Sequence, residues 1–283
     1  MREVTPHMEW RVVALLMWQE VKEAQRNRWF LLVASVFGVL ALTLSYLGLS
    51  GLGTFGVAGF GRTTASLLHL VMVIVPLMGL LMGAMSVAVE REQGTLLMVM
   101  AQPVTPAEVL VGKFCGGAVA LTGAILLGFG LSGLVIARYG GLVQLGDYAA
   151  LVVFTFLLGV AHLALGMWLS VVARRGATAL GLALVCWLLV VIVSDLGVMG
   201  TAMVLNLTPP QLLWASLVNP AQVFKLGVIG AMEHNVDILG PSGRYAADVL
   251  GTRLPALMSA LLVVWTAVPL TAALIVFRRR GAV

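Results

Sequence analysis

Charge is scarce in this chain. Aspartate, glutamate, lysine and arginine make up 10% of its 283 residues, where soluble domains carry about 25%. With 60% of the residues hydrophobic, no single soluble core could hide the apolar surplus, so an ordinary soluble fold is excluded and the bilayer is the expected solvent. Cysteine is scarcer still. Cys115 and Cys186 lie in apolar stretches without a CxxC spacing, which leaves no disulfide or zinc pattern and predicts buried thiols. The GxxxxGK(S/T) phosphate loop is missing, since Gly112-Lys113 has neither the upstream glycine nor the following hydroxyl. HExxH and any closed set of metal ligands are missing too, as is a basic patch interleaved with aromatics, so metalloprotease and nucleic-acid readings fall away. The start, MREVTPHMEW, has no apolar core with a small-residue cleavage site, which predicts a retained N-terminus and a first spanning helix that targets the chain.

Long apolar runs are what the chain does have. A membrane-spanning helix takes about 20 apolar residues, and six stretches qualify: roughly 29–49, 65–89, 106–137, 147–173, 177–203 and 255–277. The third and fifth exceed a simple span, which predicts tilt, a bend or projection beyond the bilayer. Before the first, Trp10, Ala14, Met17, Val21 and Ala24 fall on one helical stripe with Glu9, Glu20, Glu23 and Asn27 off it, the pattern of an amphipathic helix lying in the interface. The fold expected is therefore an all-α integral membrane protein, a single transmembrane domain over 1–283. It has six spans, an N-terminal interfacial helix and short helices before the last span.

Basic residues give the orientation. Twelve (Arg2, Arg11, Lys22, Arg26, Arg28, Arg91, Lys113, Arg174, Arg175, Arg278, Arg279 and Arg280) fall on one side of this topology. Five (Arg62, Arg138, Lys225, Arg244 and Arg253) fall on the other. The richer side is expected to be cytoplasmic and to hold both termini.

Two connecting segments carry their own grammar. Residues 90–104 run Glu90-Arg91-Glu92-Gln93-Gly94-Thr95-Leu96-Leu97-Met98-Val99-Met100-Ala101-Gln102-Pro103-Val104, and Thr105-Pro106-Ala107-Glu108 then forms a capping box. A charged elbow, a short apolar helix over 95–101 and a turn are expected at the cytoplasmic surface. The three charges could be solvated loop residues. The apolar run beside them would then stand exposed, however, which favours docking on a partner. Residues 204–254 are expected outside. Thr208-Pro209-Pro210-Gln211 and Asn219-Pro220-Ala221-Gln222 each repeat cap, proline and Gln, predicting short helices near 209–218 and 220–230. Trp214 suits an interface, and Gly240-Pro241-Ser242-Gly243 reads as the turn of a polar loop.

Other polar and soft residues have two readings each. Gly130-Leu131-Ser132-Gly133 and Ala161-His162-Leu163-Ala164-Leu165-Gly166 resemble fragments of a rhomboid intramembrane serine protease. Yet Ser132 is about 8 Å and His162 about 22 Å from the outer ends of their helices, while a nucleophile and its base must meet within about 3 Å. Small-residue packing is the better reading, for this stretch and for the second GLSG at 48–51. Met78, Met82 and Met85 form a stripe that would suit cuprous ion or simply fill gaps between helices; no Cys or His joins it, which favours filling. His162 and Asp195 are the intramembrane polar candidates.

With these residues the chain resembles the membrane subunits of type-2 ABC transporters over nearly its whole length. The likeness lies in the interfacial helix, the elbow with Gly94-Thr95-Leu96, Pro103 before Gly112-Lys113-Phe114, and the closing Phe277-Arg278-Arg279-Arg280. The resemblance implies a coupling segment at Glu90, Arg91, Glu92, Gly94, Thr95, Leu96 and Leu97, seated in a separate ATPase that binds the ATP and magnesium, with no cofactor on this chain. Arg26-Asn27-Arg28-Trp29, Leu127-Gly128-Phe129-Gly130, Gly181-Leu182-Ala183-Leu184 with Trp187, Asp195-Leu196 and Asn219-Pro220-Ala221-Gln222-Val223-Phe224-Lys225-Leu226 narrow the likeness. They are similar to the subfamily that serves copper-site assembly in nitrous oxide reductase, a periplasmic step of denitrification, by supplying copper or sulfur. That implies a homodimer in the bacterial inner membrane, a NosF-like ATPase on the cytoplasmic face, and a NosD-like periplasmic protein docked near Thr208, Trp214, Asn219 and Pro220. No copper motif is matched. The alternatives are export of a lipid, drug or polysaccharide, and the intramembrane hydrolase already disfavoured by depth.

Overall fold

The computed structural model describes residues 9–50, 57–139, 143–193, 208–232 and 240–280, and every regular element among them is helical. In chain order the helices are α1 (Trp10–Arg26), α2 (Arg28–Ser50), α3 (Val57–Gln93), α4 (Thr95–Met100), α5 (Pro106–Tyr139) and α6 (Val143–Val172). They continue as α7 (Gly176–Leu188), α8 (Pro209–Leu217), α9 (Pro220–Ala231), α10 (Gly240–Leu250) and α11 (Leu254–Arg280).

Five stretches are long and apolar enough to cross a membrane: Arg28–Leu47, Ala65–Gln93, Pro106–Leu134, Gly146–Val172 and Gly243–Arg279. The fifth stretch expected from sequence, 177–203, is helical over α7 and continues as a π turn, Leu189–Val193; its remainder, with Asp195, lies outside the described residues. Those 18 residues rise about 27 Å, close to a bilayer core of about 30 Å. Contacts place the ends. Phe277 of α11 packs in one cluster with Leu96 of α4, so α11 finishes on the α4 side. The Asn219 amide, at the start of α9, donates to the Val190 carbonyl at 2.7 Å. At the other end of α9, Gly230 abuts Leu254, the first residue of α11. The described end of α7 and the start of α9 therefore meet away from α4, and the start of α11 lies at the other end of α9.

The two short helices expected before the last span form, but the second of them is buried in the bundle. Both helices form where cap and proline place them: Thr208 and Gln211 complete a capping box, and Asn219 Oδ1 accepts the Ala221 N–H at 2.8 Å. They meet at 115°, and α9 is buried from Pro220 to Phe224 and again from Leu226 to Ile229, packed on α6 and α11. The apolar α9 thus folds back into the bundle. Gly240-Pro241-Ser242-Gly243 opens α10 and does not turn the chain, since proline is compatible with a helix's first turn.

Close approach of helices explains the glycines that matter here. A Cβ at Gly79 of α3 would stand 2.6 Å from the Gly159 carbonyl oxygen of α6, and one at Gly166 would collide with Leu80, so backbones can meet only without side chains. On α5, Gly112 and Gly116 do the same for α1: added Cβ atoms would sit 2.7 Å from Leu16 Cβ and 2.6 Å from the Met17 carbonyl oxygen. The expected interfacial stripe of α1 is consequently split. Val21 and Ala24 are buried against the bundle and Met17 is half-buried, while Trp10 and Ala14 are exposed. Asn27 then ends α1 and caps α2, its Oδ1 accepting the Trp29 and Phe30 N–H groups at 3.0 and 3.3 Å.

Candidate functional site

The elbow after α3 is built by one glycine. Gly94 has φ +76°, the left-handed region where side chains are strained, and its N–H closes on the Arg91 carbonyl at 3.2 Å. The chain leaves α3 there and starts α4 one residue later. Of the apolar run, Leu96 is fully buried with Val87, Val109, Leu110, Met167, Val171, Ala273 and Phe277, a cluster drawn from α3, α5, α6 and α11. Val99 and Met100 are half-buried against it, and Leu97 and Met98 are 55% and 73% exposed. So α4 is not free on all sides: one residue seats it in the bundle and two face outward. Beyond it, Thr105 and Glu108 complete the expected capping box (Thr105 N–H to Glu108 Oε2, 2.7 Å). Glu108, itself buried, also accepts the Glu9 N–H at 2.7 Å through Oε1, pinning the start of α1.

The three elbow charges work inside the chain. Glu90 accepts Lys113 Nζ at 2.6 Å, and the same ammonium reaches Glu20 of α1 at 2.9 Å. Arg91 Nη1 donates to the Val171 and Ala173 carbonyls at 3.3 and 2.9 Å, where α6 ends and needs donors. Glu92 Oε2 accepts the Gly176 N–H at 2.8 Å, at the positive N-terminus of α7. Together they form a hub: one short segment holds α1, α5, α6 and α7 to the end of α3. Burial raises the Glu20 carboxyl above its ordinary value, and the Lys113 charge opposes that rise.

Beside the hub lies a cavity of about 790 Å³ between α1, α2, α3 and α7. Phe30, Val33 and Leu184 give it apolar walls, the whole Met78–Met82–Met85 stripe lines it, and Glu20, Glu23 and Glu90 form its acidic floor. Ligand oxygens of these three carboxylates lie within 4.8 Å of one another, near enough to hold a cation. Lys113 already fills that need, bonding two of the three. Met78 is buried and its two fellows are half-buried on the cavity wall, so the stripe both packs between helices and borders open space.

The remaining candidates scatter. Thr208 and Trp214 are exposed, Pro220 is buried, and Asn219 spends its amide on Val190; of these four, only the first two offer surface. His162 is fully buried, with Nδ1 2.8 Å from the Leu158 carbonyl. Ser132 donates to the Gly128 carbonyl at 3.0 Å. Each side chain turns back on its own helix, and among the described residues no hydrogen bond joins them, so a Ser–His pair is not assembled. The Lys113 bridge escaped the sequence reading altogether. Its signal was there: glycines four apart, Gly112 and Gly116, mark the face of α5 where another helix can come close.

A family profile described as "ABC-2 family transporter protein" matches residues 14–282. A relative from Stutzerimonas stutzeri named "Probable ABC transporter permease protein NosY" is 33% identical over 272 residues, covering 93% of this chain and 96% of the relative. One of the same name from Pseudomonas aeruginosa is 31% identical over 273 residues, again 93% and 96%.

Proposed function

The chain belongs to the ABC-2 family of transporter proteins, and from that premise we propose that it is the multi-pass permease subunit of a NosY-type complex. It works as a homodimer in the bacterial inner membrane, with both termini in the cytoplasm, and a separate ATPase seats on α4. The observation that carries this reading is the two-sided α4: Leu96 is fixed in a core shared by α3, α5, α6 and α11, while Leu97 and Met98 stand exposed on the same six-residue helix. An apolar ridge of that kind gains affinity by burial in a protein groove. The rigid seat beneath it lets a push on α4 reach the spans. The charge split of twelve against five supports a cytoplasmic α4, on the side where ATP is.

The task that fits the NosY-named relatives is delivery of copper or sulfur for the copper-site assembly of nitrous oxide reductase. A NosD-like periplasmic protein would meet the exposed Thr208 and Trp214. Deleting this chain should leave the reductase without its assembled copper–sulfur site, and restoring the chain should bring the site back. Full copper occupancy in the deletion strain contradicts the assignment. A second reading rests on the cavity: its apolar walls suit export of a lipid or drug, which would bind in vesicle assays independently of the reductase.

A further inference from the structure

The geometry points to Lys113 as the positioning residue that carries movement of α4 to α1, and through α1 to the cavity wall. This rests on the reading of α4 as the ATPase seat. Lys113 is buried, with 7% of its side chain exposed, and it stands between two carboxylates on different helices: Glu90 at 2.6 Å and Glu20 at 2.9 Å. Glu90 belongs to the last turn of α3, four residues before Gly94, and Thr95 Oγ1 at the start of α4 donates to its carbonyl at 3.2 Å. Displacing α4 therefore displaces the anchor of Glu90. On the other side, Glu20 lies in α1 just where Gly116 lets the two backbones close up. A buried charge cannot be left behind when one partner moves, because separating it from a carboxylate in a dry site is costly. The ammonium thus ties the end of α3 to α1.

What α1 then moves is visible at its end. Asn27 both terminates α1 and caps α2, so the two helices share one joint. Phe30 and Val33 of α2 form part of the cavity wall, and Glu20 and Glu90 form part of its floor. A shift of α1 reshapes the cavity from two sides at once. The plain alternative is that the three charges only hold α1 in place, as Glu108 does at its start.

The two roles separate in a charge-free variant. Replacing a buried ionic group by neutral residues of similar volume is often tolerated, whereas removing one partner is not. The triple variant Glu20→Gln, Lys113→Met, Glu90→Gln should therefore fold and hold the ATPase. Spin labels at Trp18 on α1 and Val153 on α6, both exposed, are placed in a chain whose Cys115 and Cys186 are alanine. The purified complex with its ATPase is then measured by electron–electron distance with and without ATP. The wild-type triad and Lys113→Arg should show an ATP-dependent shift, and the triple variant less than half of it with the ATPase still bound. A full shift in the triple variant, or no shift with the triad intact, overturns the relay alone. A wild-type chain that holds no ATPase overturns the docking reading and the relay with it.

Discussion

The carboxylate of Glu92 accepts the backbone N–H of Gly176 at 2.8 Å, joining the end of α3 to the start of α7 across 84 positions of sequence. Its neighbour Arg91 donates to the carbonyls at the end of α6, and Glu90 holds Lys113. Three consecutive charges in a chain this poor in charge are thus an internal clamp at the root of α4. The outward face of the elbow is the apolar pair Leu97 and Met98.

If Glu92 is a cap, Glu92→Ala should lower the stability of the isolated permease by about 1 kcal/mol, the usual cost of a lost N-terminal cap. Thermal unfolding in detergent checks it. An unchanged unfolding curve together with weaker ATPase binding would return Glu92 to the docking surface.

Gly94 is a backbone requirement. No neighbouring atom lies within 4 Å of an added Cβ, so the obstacle is its φ of +76° alone. Gly94→Ala should cost about 1–2 kcal/mol in strain and misdirect α4, reducing both unfolding temperature and recovery of the ATPase complex. Native behaviour on both counts would show that the elbow does not set the angle of α4.

Topology follows from the side on which α4 lies. Single cysteines at the exposed positions Arg175 and Arg279 should resist an impermeant thiol reagent in intact cells and react after permeabilisation, whereas one at Arg244 should react at once. Labelling of the Arg279 position from outside would contradict six crossings with both ends in the cytoplasm.

Much of this architecture was legible in the residues. Thr105 with Glu108 and Thr208 with Gln211 fixed two helix starts, because a cap is a local pattern whose partners are three positions apart. The apolar runs marked five of the six expected spans for a similar reason: length and hydropathy are properties of one segment. The facing of α4 was not legible. Five apolar residues in a row give no stripe, and only the pocket formed by Val109, Leu110 and Phe277 singles out Leu96. Burial of α9 was hidden likewise: its cap and proline read the same on an exposed helix as on one folded back at 115°. The outward and inward sides of α1 are set by glycines about 100 residues away, so its own period could not choose between lipid and α5.

The methionine stripe can be tested without assuming a metal. Leucine and methionine have similar volumes, so Met78, Met82 and Met85 all changed to leucine should fold with a cost under about 1.5 kcal/mol per site and still support reductase maturation. A variant that folds, holds its ATPase and fails in maturation would make the thioethers a path for soft metal.

The central claim is that a separate ATPase sits on the outward face of α4, and one double variant tests it most directly. Leu97→Asp with Met98→Asp alters two exposed side chains and spares Leu96, whose loss would empty a core position at about 2–5 kcal/mol and confuse the outcome. Membrane insertion and thermal stability of the isolated permease should stay as in the wild type. Co-purification of the ATPase should be lost, because unpaired carboxylates in a dry groove cost several kcal/mol. An ATPase recovered in full with the double Asp variant, turning over ATP as with the wild type, would contradict the account.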